Sequence, residues 1–315
     1  MEETICRLCG ANDTKLVYVE QDRLMKVPGT FHLVQCQQCG LLYLNPRPTM
    51  DEIGCYYPEQ YGPYNVAREN QQSPITRLDH SYGYWKRARL VHASHPQGGP
   101  LLDVGCATGD FLHMMRRMGP WKVQGVEVST GAAQQARECY GLNVCAGELA
   151  DAAYPDSHFD VITIWDVMEH VHDPARTLQE MHRILKPGGL AIIRVPNIAT
   201  WDARLFGPYW VGLDAPRHLY IFSPTTLEAF LQKTGFRVQK MRPLMLGYSP
   251  FALSVEFWLD EKMHDGAFKR ALLALNRSLL PRVLTRPFFT LLGYLNTPTF
   301  AITAFATKEE AEPRP

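Results

Sequence analysis

The sequence has no excess of charge of either sign. Lys and Arg together number 32 and Asp and Glu also number 32 among the 315 residues. A protein that binds many nucleic-acid phosphates needs a basic surface, so the net charge of zero disfavours a nucleic-acid substrate and allows only a local basic face. A long apolar run is missing as well. The longest apolar stretches, between residues 245 and 296, are interrupted by Pro250, Glu256, Pro281 and Pro287 and are too short to span a membrane.

The first residues, Met1-Glu2-Glu3-Thr4-Ile5, lack the basic and apolar regions of a secretory signal peptide. We therefore expect a cytoplasmic protein. In that compartment the eight cysteines of the chain are expected to be metal ligands or small buried side chains rather than members of disulfides.

Four of the cysteines form two C-x-x-C-G knuckles, Cys6 with Cys9 and Cys36 with Cys39. This spacing predicts a zinc ribbon over residues 1–45, in which four thiolates hold a structural zinc ion. Iron in a rubredoxin-like site, or a redox pair, is the alternative. A closed four-cysteine site leaves no position for water, so we expect the metal to stabilise the fold and to take no part in catalysis.

The centre of the chain is the stretch L-L-D-V-G-C-A-T-G-D-F-L at residues 101–112. It predicts an apolar strand, a tight turn and the start of a helix. Gly105 and Gly109 can take positive φ and let a ligand approach the backbone closely. The dinucleotide fingerprint G-x-G-x-x-G is absent. Asp103 argues against a pyrophosphate and favours a cationic or hydroxyl-bearing ligand, and Glu127, ending the next strand, can accept hydrogen bonds from both hydroxyls of a ribose.

Strand and helix patterns alternate through the second half of the chain, which predicts an α/β fold with a parallel sheet covered by helices on both faces. Residues 46–97 are predicted to be a linker that ends in a leading helix. Residues 98–310 would form the main domain, with an insertion of amphipathic helices at about 245–296. Ser129, Asp173-Pro174 and Ser223-Pro224 are typical of helix starts.

Several blocks together resemble class I S-adenosylmethionine-dependent methyltransferases, in particular bacterial enzymes that act on sugars and related small molecules and carry an N-terminal zinc ribbon. The resemblance rests on D-V-G-C-A-T-G at 103–109, on Glu127, on the strand entering Asp166 and on R-I-L-K-P-G-G at 183–189. It implies a seven-stranded Rossmann-like sheet, mostly parallel with an antiparallel last strand, and S-adenosylmethionine as cofactor. The implied cofactor-binding residues are Asp103, Gly105, Cys106, Gly109, Glu127, Val128, Glu148, Leu149 and Asp166.

Three residues are candidates for catalysis. His170, preceded by Glu169, has the side-chain type whose pKa suits a general base at neutral pH. His218 lies in the long loop that covers the pocket in the resembled family, and is a second candidate base or acceptor contact. A packing or helix-cap role is the ordinary alternative. Asp166-x-x-Glu169-His170 is also similar to the E-x-x-E-H arrangement of ubiquinone-pathway O-methyltransferases, which is linked to a divalent metal, although aspartate replaces the first glutamate here.

These features predict methyl transfer to a small molecule, with O-methylation of a sugar or another hydroxyl-bearing metabolite as the first hypothesis. C-methylation of a nucleotide sugar is an alternative, but enzymes of that kind have a large C-terminal domain that this chain is too short to hold. RNA methylation is a second alternative, against which stand the neutral charge and the absence of an N-P-P-Y block. A catalytically silent scaffold that binds the cofactor is the third.

The predicted insertion carries basic side chains among leucines and phenylalanines. Such a surface is typical of a membrane interface or of contact with a lipid-linked acceptor. A lid or a homodimer surface is the commoner role, and it is the one we expect here. The basic residues are Lys269, Arg270, Arg277, Arg282 and Arg286.

Overall fold

The computed structural model of the chain describes residues 1–57, 74–243, 248–294 and 300–308, and no side chains at 74–79 and 293–294. Residues 58–73 of the predicted linker and both ends of the predicted insertion therefore lie outside the described residues. The strands form two sheets, one of four strands and one of seven.

The N-terminal part of the chain is built from short antiparallel strands and one helical turn. Asp51 and Glu52 occupy that first turn, and Thr49 and Glu52 form a capping box at its start. The elements are β1 (Thr14–Glu20), β2 (Phe31–Cys36), β3 (Leu42–Leu44) and α1 (Met50–Ile53).

The main domain begins with a long helix and then alternates strands with helices, as the sequence predicts. Ser129 accepts a hydrogen bond from the backbone N–H of Ala132, and Asp173 accepts one from Arg176, so both predicted helix starts are confirmed. The elements are α2 (Pro74–Ser94), β4 (Gly99–Val104), α3 (Asp110–Met118), β5 (Trp121–Glu127), α4 (Thr130–Tyr140), β6 (Asn143–Ala146), β7 (Phe159–Trp165), α5 (Pro174–Ile184) and β8 (Leu185–Pro196).

The second half of the main domain contains a long connection, a helix, a strand and the helical insertion before the last strand. Ser223 caps its helix by accepting a hydrogen bond from Thr226, as predicted. The elements are α6 (Trp201–Phe206), β9 (Tyr220–Ile221), α7 (Pro224–Lys233), β10 (Phe236–Arg242), α8 (Ser249–Lys262), α9 (Ala267–Arg277), α10 (Leu279–Tyr294) and β11 (Ala301–Lys308).

The large sheet has the strand order β10-β11-β8-β7-β4-β5-β6. Strands β4 to β8 pair in parallel, and β11 is antiparallel to both β8 and β10. The predicted fold class is confirmed. The chain leaves β4 toward β5 and β6 on one side and returns to β7 and β8 on the other. In open sheets of this kind a ligand crevice opens at the carboxyl end of the strand where the order reverses, which is β4.

The small sheet takes its fourth strand from the main domain. β9 pairs with β3, so that Leu42 lies opposite Ile221 and Tyr43 opposite Tyr220. The sequence pattern predicts only a long loop there, because a two-residue strand has no periodicity of its own. The N-terminal sheet is therefore continuous with the loop that carries His218.

Two further contacts fix the N-terminal part to the main domain. Arg47 is buried and donates hydrogen bonds to the carbonyl oxygen of His172 at 2.8 Å and to the hydroxyl of Tyr220 at 2.7 Å. Lys233 donates to the carbonyl oxygen of Leu8, inside the first cysteine knuckle, at 2.6 Å. Each bond joins groups that are distant in sequence. The bond from Lys233 holds the knuckle against α7, and those from Arg47 hold the chain after β3 against the main domain.

The helical insertion packs on the long connection after β8. The Phe251 ring of α8 lies 5.1 Å from that of Phe206 and 5.8 Å from that of Trp201, and Ser254 accepts a hydrogen bond from the backbone of Val211. In the part of the chain that the structure describes, no helix combines the length and apolar character needed to cross a membrane.

Candidate functional site

The residues predicted to bind the cofactor lie along one edge of the large sheet. Val104 is in register with Val126 on one neighbour and with Ile164 on the other, and Glu127 with Ala146. The carboxyl ends of β4, β5, β6 and β7 are therefore adjacent. The predicted residues all belong to these strand ends or to the turns that follow them.

The glycine turn after β4 has the backbone conformation that the sequence predicts. Gly105 has φ +73° and Gly109 has φ +85°. A Cβ atom at Gly105 would lie 2.4 Å from Val167 Cγ2, and one at Gly109 would lie 2.6 Å from Leu142 Cδ1. Both glycines are thus required by packing as well as by φ. Cys106 between them is buried, and its sulfur packs against Gly125.

Asp103 and Glu127 are buried carboxyl groups at the ends of neighbouring strands. Asp103 accepts a hydrogen bond from the Thr163 hydroxyl at 2.6 Å, and burial raises the pKa of Asp103 to about 7. Glu127 accepts hydrogen bonds from the backbone N–H groups of Ala107 and Ser129, each at 2.8 Å, and burial raises its pKa above the usual value. Glu127 thereby ties the glycine turn to the start of α4.

Changing Glu127 to Gln is expected to weaken S-adenosylmethionine binding about 10- to 100-fold, because hydrogen bonds to a charged group contribute roughly 1.5–3 kcal/mol. Calorimetric titration of the cofactor measures the effect. Glu138→Gln is the matched control, since Glu138 lies exposed on α4. Equal affinities of wild type and Glu127→Gln would contradict the role of Glu127.

The turns after β5 and β6 present a different surface. Val128 is 61% exposed and offers an apolar face that a purine ring can cover. Glu148 is the N-cap of a 3-10 helix (Leu149–Ala152), and its backbone N–H donates to Asp151. Leu149 is buried. These residues lie beside Glu127, because Gly147 donates a hydrogen bond to the carbonyl oxygen of Glu127 at 2.9 Å.

Asp166 follows β7 with φ +55°, which is unusual for a residue other than glycine. Its carboxylate pairs with Arg87 of α2 at 3.0 Å and with Arg194 of β8. Arg194 is fully buried, and this burial lowers its pKa to about 10. Neither arginine is predicted as a site residue from the sequence. Arg194 stands out as a charged residue within an apolar strand, whereas nothing in the helix pattern distinguishes Arg87.

Glu169, His170 and His218 lie close together, with their candidate ligand atoms all within 4.8 Å of one another. The His170 Nδ1 atom is 3.0 Å from the carbonyl oxygen of Arg217, and the His218 Nδ1 atom is 2.8 Å from that of Gly212. A carbonyl oxygen only accepts hydrogen bonds, so Nδ1 of His218 carries the proton and its Nε2 atom keeps a lone pair. The His170 Nδ1 atom is also 2.9 Å from the hydroxyl of Tyr57, which can either donate or accept, so this ring has two possible tautomers.

The protonation states of this cluster follow from its burial. Burial, with His218 nearby, lowers the pKa of His170 to about 3, and burial also lowers the pKa of His218. Both rings are therefore neutral at physiological pH. The pKa of His170 lies well below the value near neutral pH on which the sequence-based choice of this residue as a general base depends. Burial and the nearby Asp166 raise the pKa of Glu169 well above its usual value. Among the described residues, neither carboxyl oxygen of Glu169 has a hydrogen-bond partner. A buried carboxyl group without partners, beside two imidazoles, is suited to a hydroxyl-bearing ligand or to a cation.

Backbone hydrogen bonds bring the cluster together. The carbonyl oxygen of Glu169 accepts from the N–H groups of Leu219 at 2.7 Å and Tyr220 at 3.2 Å. His170 and His218 are thus brought together, with ring centroids 4.6 Å apart. A divalent ion here would be held by Glu169, His170 and His218, whereas Asp166 of the D-x-x-E-H pattern is paired with arginines and is not part of this group.

The loop that carries His218 is anchored by a buried ion-pair network that the sequence does not reveal. The Arg217 guanidinium donates to both carboxylate oxygens of Asp22, at 2.7 and 3.0 Å, and to Asp214 at 2.6 Å. Burial opposes ionisation of Asp214, yet the hydrogen bond from Arg217 holds the Asp214 pKa below its usual value. Asp22 belongs to the connection between β1 and β2, so the N-terminal sheet contributes directly to the support of this loop.

The four knuckle cysteines form a cluster at the far end of the N-terminal sheet. The sulfur atoms of Cys6 and Cys39 are 3.4 Å apart and those of Cys9 and Cys36 are 3.5 Å apart, and all four are free thiols. Tetrahedral zinc with Zn–S bonds of about 2.3 Å needs sulfur atoms just under 4 Å apart. The donor set and its dimensions therefore fit a structural zinc ion.

Each knuckle ends in the same turn. Gly10 and Gly40 have φ +84° and +76°, and their N–H groups donate to the carbonyl oxygens of Cys6 and Cys36. The glycine that ends each C-x-x-C-G knuckle is thus required by its backbone conformation, since residues with a Cβ atom rarely adopt positive φ.

Comparisons with known proteins agree with this fold. A malonyl-[acyl-carrier protein] O-methyltransferase of Serratia marcescens is 30% identical over 135 residues, which are 42% of this chain and 51% of that protein. A demethylmenaquinone methyltransferase of Listeria monocytogenes is 32% identical over 137 residues, 40% of this chain and 57% of that protein. The matched segments thus span little more than half the length of these relatives.

Among solved structures, the [4+2]-cyclase SpnF superimposes with a TM-score of 0.53 at 18% identity, covering 84% of this chain and 99% of that one. This likeness concerns the fold alone, and a cyclase on such a fold illustrates that the fold does not determine the reaction.

A family model described as a methyltransferase domain matches residues 79–241, just over half of the chain. The matched region runs from α2 to β10 and contains the glycine turn, Glu127, Asp166 and the Glu169–His170 pair. The chain therefore belongs to the methyltransferase-domain family, with the fold of a class I S-adenosylmethionine-dependent methyltransferase.

Proposed function

We propose that the protein transfers a methyl group from S-adenosylmethionine to a hydroxyl group of a small molecule, a sugar or a similar metabolite. The observation that carries this proposal is the cluster of two neutral imidazoles and one buried carboxyl group beside the carboxyl end of β7. A hydroxyl acceptor must lose its proton, and the unprotonated nitrogen of a neutral imidazole can accept it. The cofactor supplies an activated methyl group on a sulfonium.

The carboxyl groups along the sheet edge suit this cofactor. Glu127 would accept hydrogen bonds from the ribose hydroxyls, and Val128 and Leu149 would pack against the adenine. The Asp166 Oδ1 atom is buried without a partner among the described residues. It would accept a hydrogen bond from the amino group of the methionine part. The Arg87 guanidinium, which lies 3.0 Å from the Asp166 Oδ2 atom, would pair with the carboxylate of the methionine part.

His170 and His218 would act on the acceptor, with Glu169 between them. The relatives named above support methylation of small or carrier-bound molecules, since one is named as an O-methyltransferase and the other for demethylmenaquinone. Positioning of the acceptor contributes as much to the rate as removal of its proton. Holding the acceptor in line with the methyl group removes much of the entropic barrier to transfer.

The test is methyl transfer from labelled S-adenosylmethionine to a panel of simple sugars, nucleotide sugars, quinols and malonyl-[acyl-carrier protein]. With an accepted substrate, His170→Gln and His218→Gln are each expected to lower kcat on the order of 100-fold, because one general base contributes at least that much. The cofactor Kd should stay unchanged. Product analysis distinguishes O- from C-methylation.

Three outcomes would contradict this proposal. Transfer that disappears with EDTA and returns with Mg²⁺ would assign the Glu169, His170 and His218 cluster to a metal. Methylation of RNA alone would exclude the small-molecule assignment. Cofactor binding without transfer to any acceptor would favour a scaffold role.

We also propose that the four cysteines bind zinc as a structural ion. A site closed by four thiolates leaves no position for water or substrate, so the ion would take no part in the reaction. Two statements stay predictions. One is the division of the chain into residues 1–45, 46–97 and 98–310, and the other is the cytoplasmic location.

A further inference from the structure

The outer face of α10 is apolar and exposed. Its exposed residues recur at i, i+3, i+4, i+7 and i+11, which places them on one side of a helix. Val283 is 63% and Leu284 67% exposed. The inner side buries Phe289, whose ring is 5.9 Å from that of Phe251 on α8. One side of the helix is thus packed, and the other carries Leu280, Val283, Leu284, Pro287 and Leu291.

The apolar exposure is concentrated in this part of the molecule. Of the 18 large apolar side chains that are exposed among the described residues, 8 lie in residues 267–294. Isolated exposed apolar residues are ordinary, but a contiguous group marks an interaction surface. The group consists of Phe268, Leu275, Leu279, Leu280, Val283, Leu284, Phe288 and Leu291.

The same segment is strongly basic although the whole chain is neutral. Residues 267–294 contain five Lys or Arg residues and no Asp or Glu. Lys269 pairs with Asp265, and Arg277 with Glu256. Arg270 and Arg286 form no ion pair with any residue that the structure describes. Arg286 borders a shallow groove whose other walls are Val283, Pro287, Thr290 and Leu291.

We propose that the exposed apolar face of α10 docks on an anionic lipid bilayer. An amphipathic helix lies in the plane of the bilayer interface with its apolar side among the acyl chains and its basic side chains near the phosphates. The 16 residues of α10 would extend about 24 Å along that plane. An anionic bilayer supplies an apolar phase for the leucines of this face and negative charge for the arginines.

A second copy of the chain fits less well. A twofold interface across α10 would bring two copies of this segment together, and the segment contains no acidic residue that could pair with Arg286 of the other copy. The role of a lid over the acceptor site also fits less well. α8 packs on the long connection and α10 contacts it through Phe288, whose ring is 6.1 Å from that of Trp201, whereas the side of α10 that carries Leu284 faces solvent.

The test is flotation of the full chain with vesicles of phosphatidylcholine alone and with about 30% phosphatidylglycerol added. Binding is expected only to the anionic vesicles and should weaken at high salt. Leu284→Glu should weaken vesicle binding about tenfold or more, because one leucine side chain would no longer be buried in the bilayer. Arg286→Gln should weaken it about fivefold, since one basic residue near such a surface contributes about 1 kcal/mol.

Leu16→Glu is the matched control, because Leu16 is similarly exposed on β1 but lies on the N-terminal sheet. It should bind vesicles like the wild type, and all variants should keep their affinity for S-adenosylmethionine. Failure to bind either vesicle, or unchanged binding of Leu284→Glu, would overturn the proposal. A dimer in solution that Leu284→Glu dissociates, without vesicle binding, would assign the face to a second copy. The test does not depend on which acceptor is methylated.

Discussion

Removal of metal from the four-cysteine site is expected to disorder the N-terminal sheet and to lower the melting temperature of the whole chain. Structural zinc contributes about 10–16 kcal/mol in isolated zinc-finger peptides. The loss here should be smaller but still several kcal/mol, because Lys233, Arg47 and the β3–β9 pairing also hold this sheet. Cys36→Ser should have the same effect, since Cys36 is a buried member of the cluster.

Metal content and thermal unfolding together check this expectation. The wild type should contain one zinc per chain and should lose it to a strong chelator, whereas Cys36→Ser should be purified without it. Cys139→Ser is the control, because Cys139 is exposed on α4 and is not part of the cluster. A metal-free wild type that melts at the temperature of the zinc-loaded protein would contradict a structural ion. A red, iron-containing protein would favour the rubredoxin-like alternative.

Changing Arg217 to Met is expected to destabilise the fold by about 3–5 kcal/mol, because Asp22 and Asp214 would be left as buried charges without their cation. Urea unfolding measures the loss. Arg183→Met is the matched control, since Arg183 pairs with Glu180 and Asp156 on the surface and such pairs contribute about 0–1 kcal/mol. A loss below about 1 kcal/mol for Arg217→Met would contradict the role of this network.

A second variant separates the unpaired charges from the loss of packing. Combining Arg217→Met with Asp22→Asn and Asp214→Asn should recover part of the stability, because the uncompensated charges are gone. The network also predicts a pH dependence. The Asp214 pKa is held below its usual value, so the stabilisation is complete above the unfolded value near 3.9 and is lost as the pH falls through the lowered folded value.

The cofactor edge is the part of the site that could be predicted from the sequence. Asp103, Gly105, Gly109 and Glu127 lie within one strand-turn-helix unit and the strand after it, so local pattern and the rule for parallel sheets are sufficient to place them on one edge. The structure confirms the positive φ of both glycines and the buried strand ends. The cofactor contacts themselves stay predictions.

The cluster of Glu169, His170 and His218 and its surroundings were predicted only in part. Glu169, His170 and His218 were identified as side-chain types suited to the chemistry, and the structure brings them together. The pairing of Asp166 with Arg87 and Arg194 was not predicted, and it makes Asp166 a poor member of a metal site. Residues separated by 79 and 28 positions share no periodicity, so a single sequence contains no indication of such pairs.

The sequence by itself determined the class of fold, the two cysteine knuckles, the helix starts and the glycine turn, because each depends on residues that are near one another along the chain. Only the tertiary structure decided how the N-terminal sheet meets the main domain. The two-residue strand β9 completes that sheet, and Asp22 reaches Arg217 across 195 positions. Such contacts form because a buried charge needs a counter-charge and a strand edge needs hydrogen-bond partners. Which residues supply them depends on three-dimensional proximity and not on local sequence pattern.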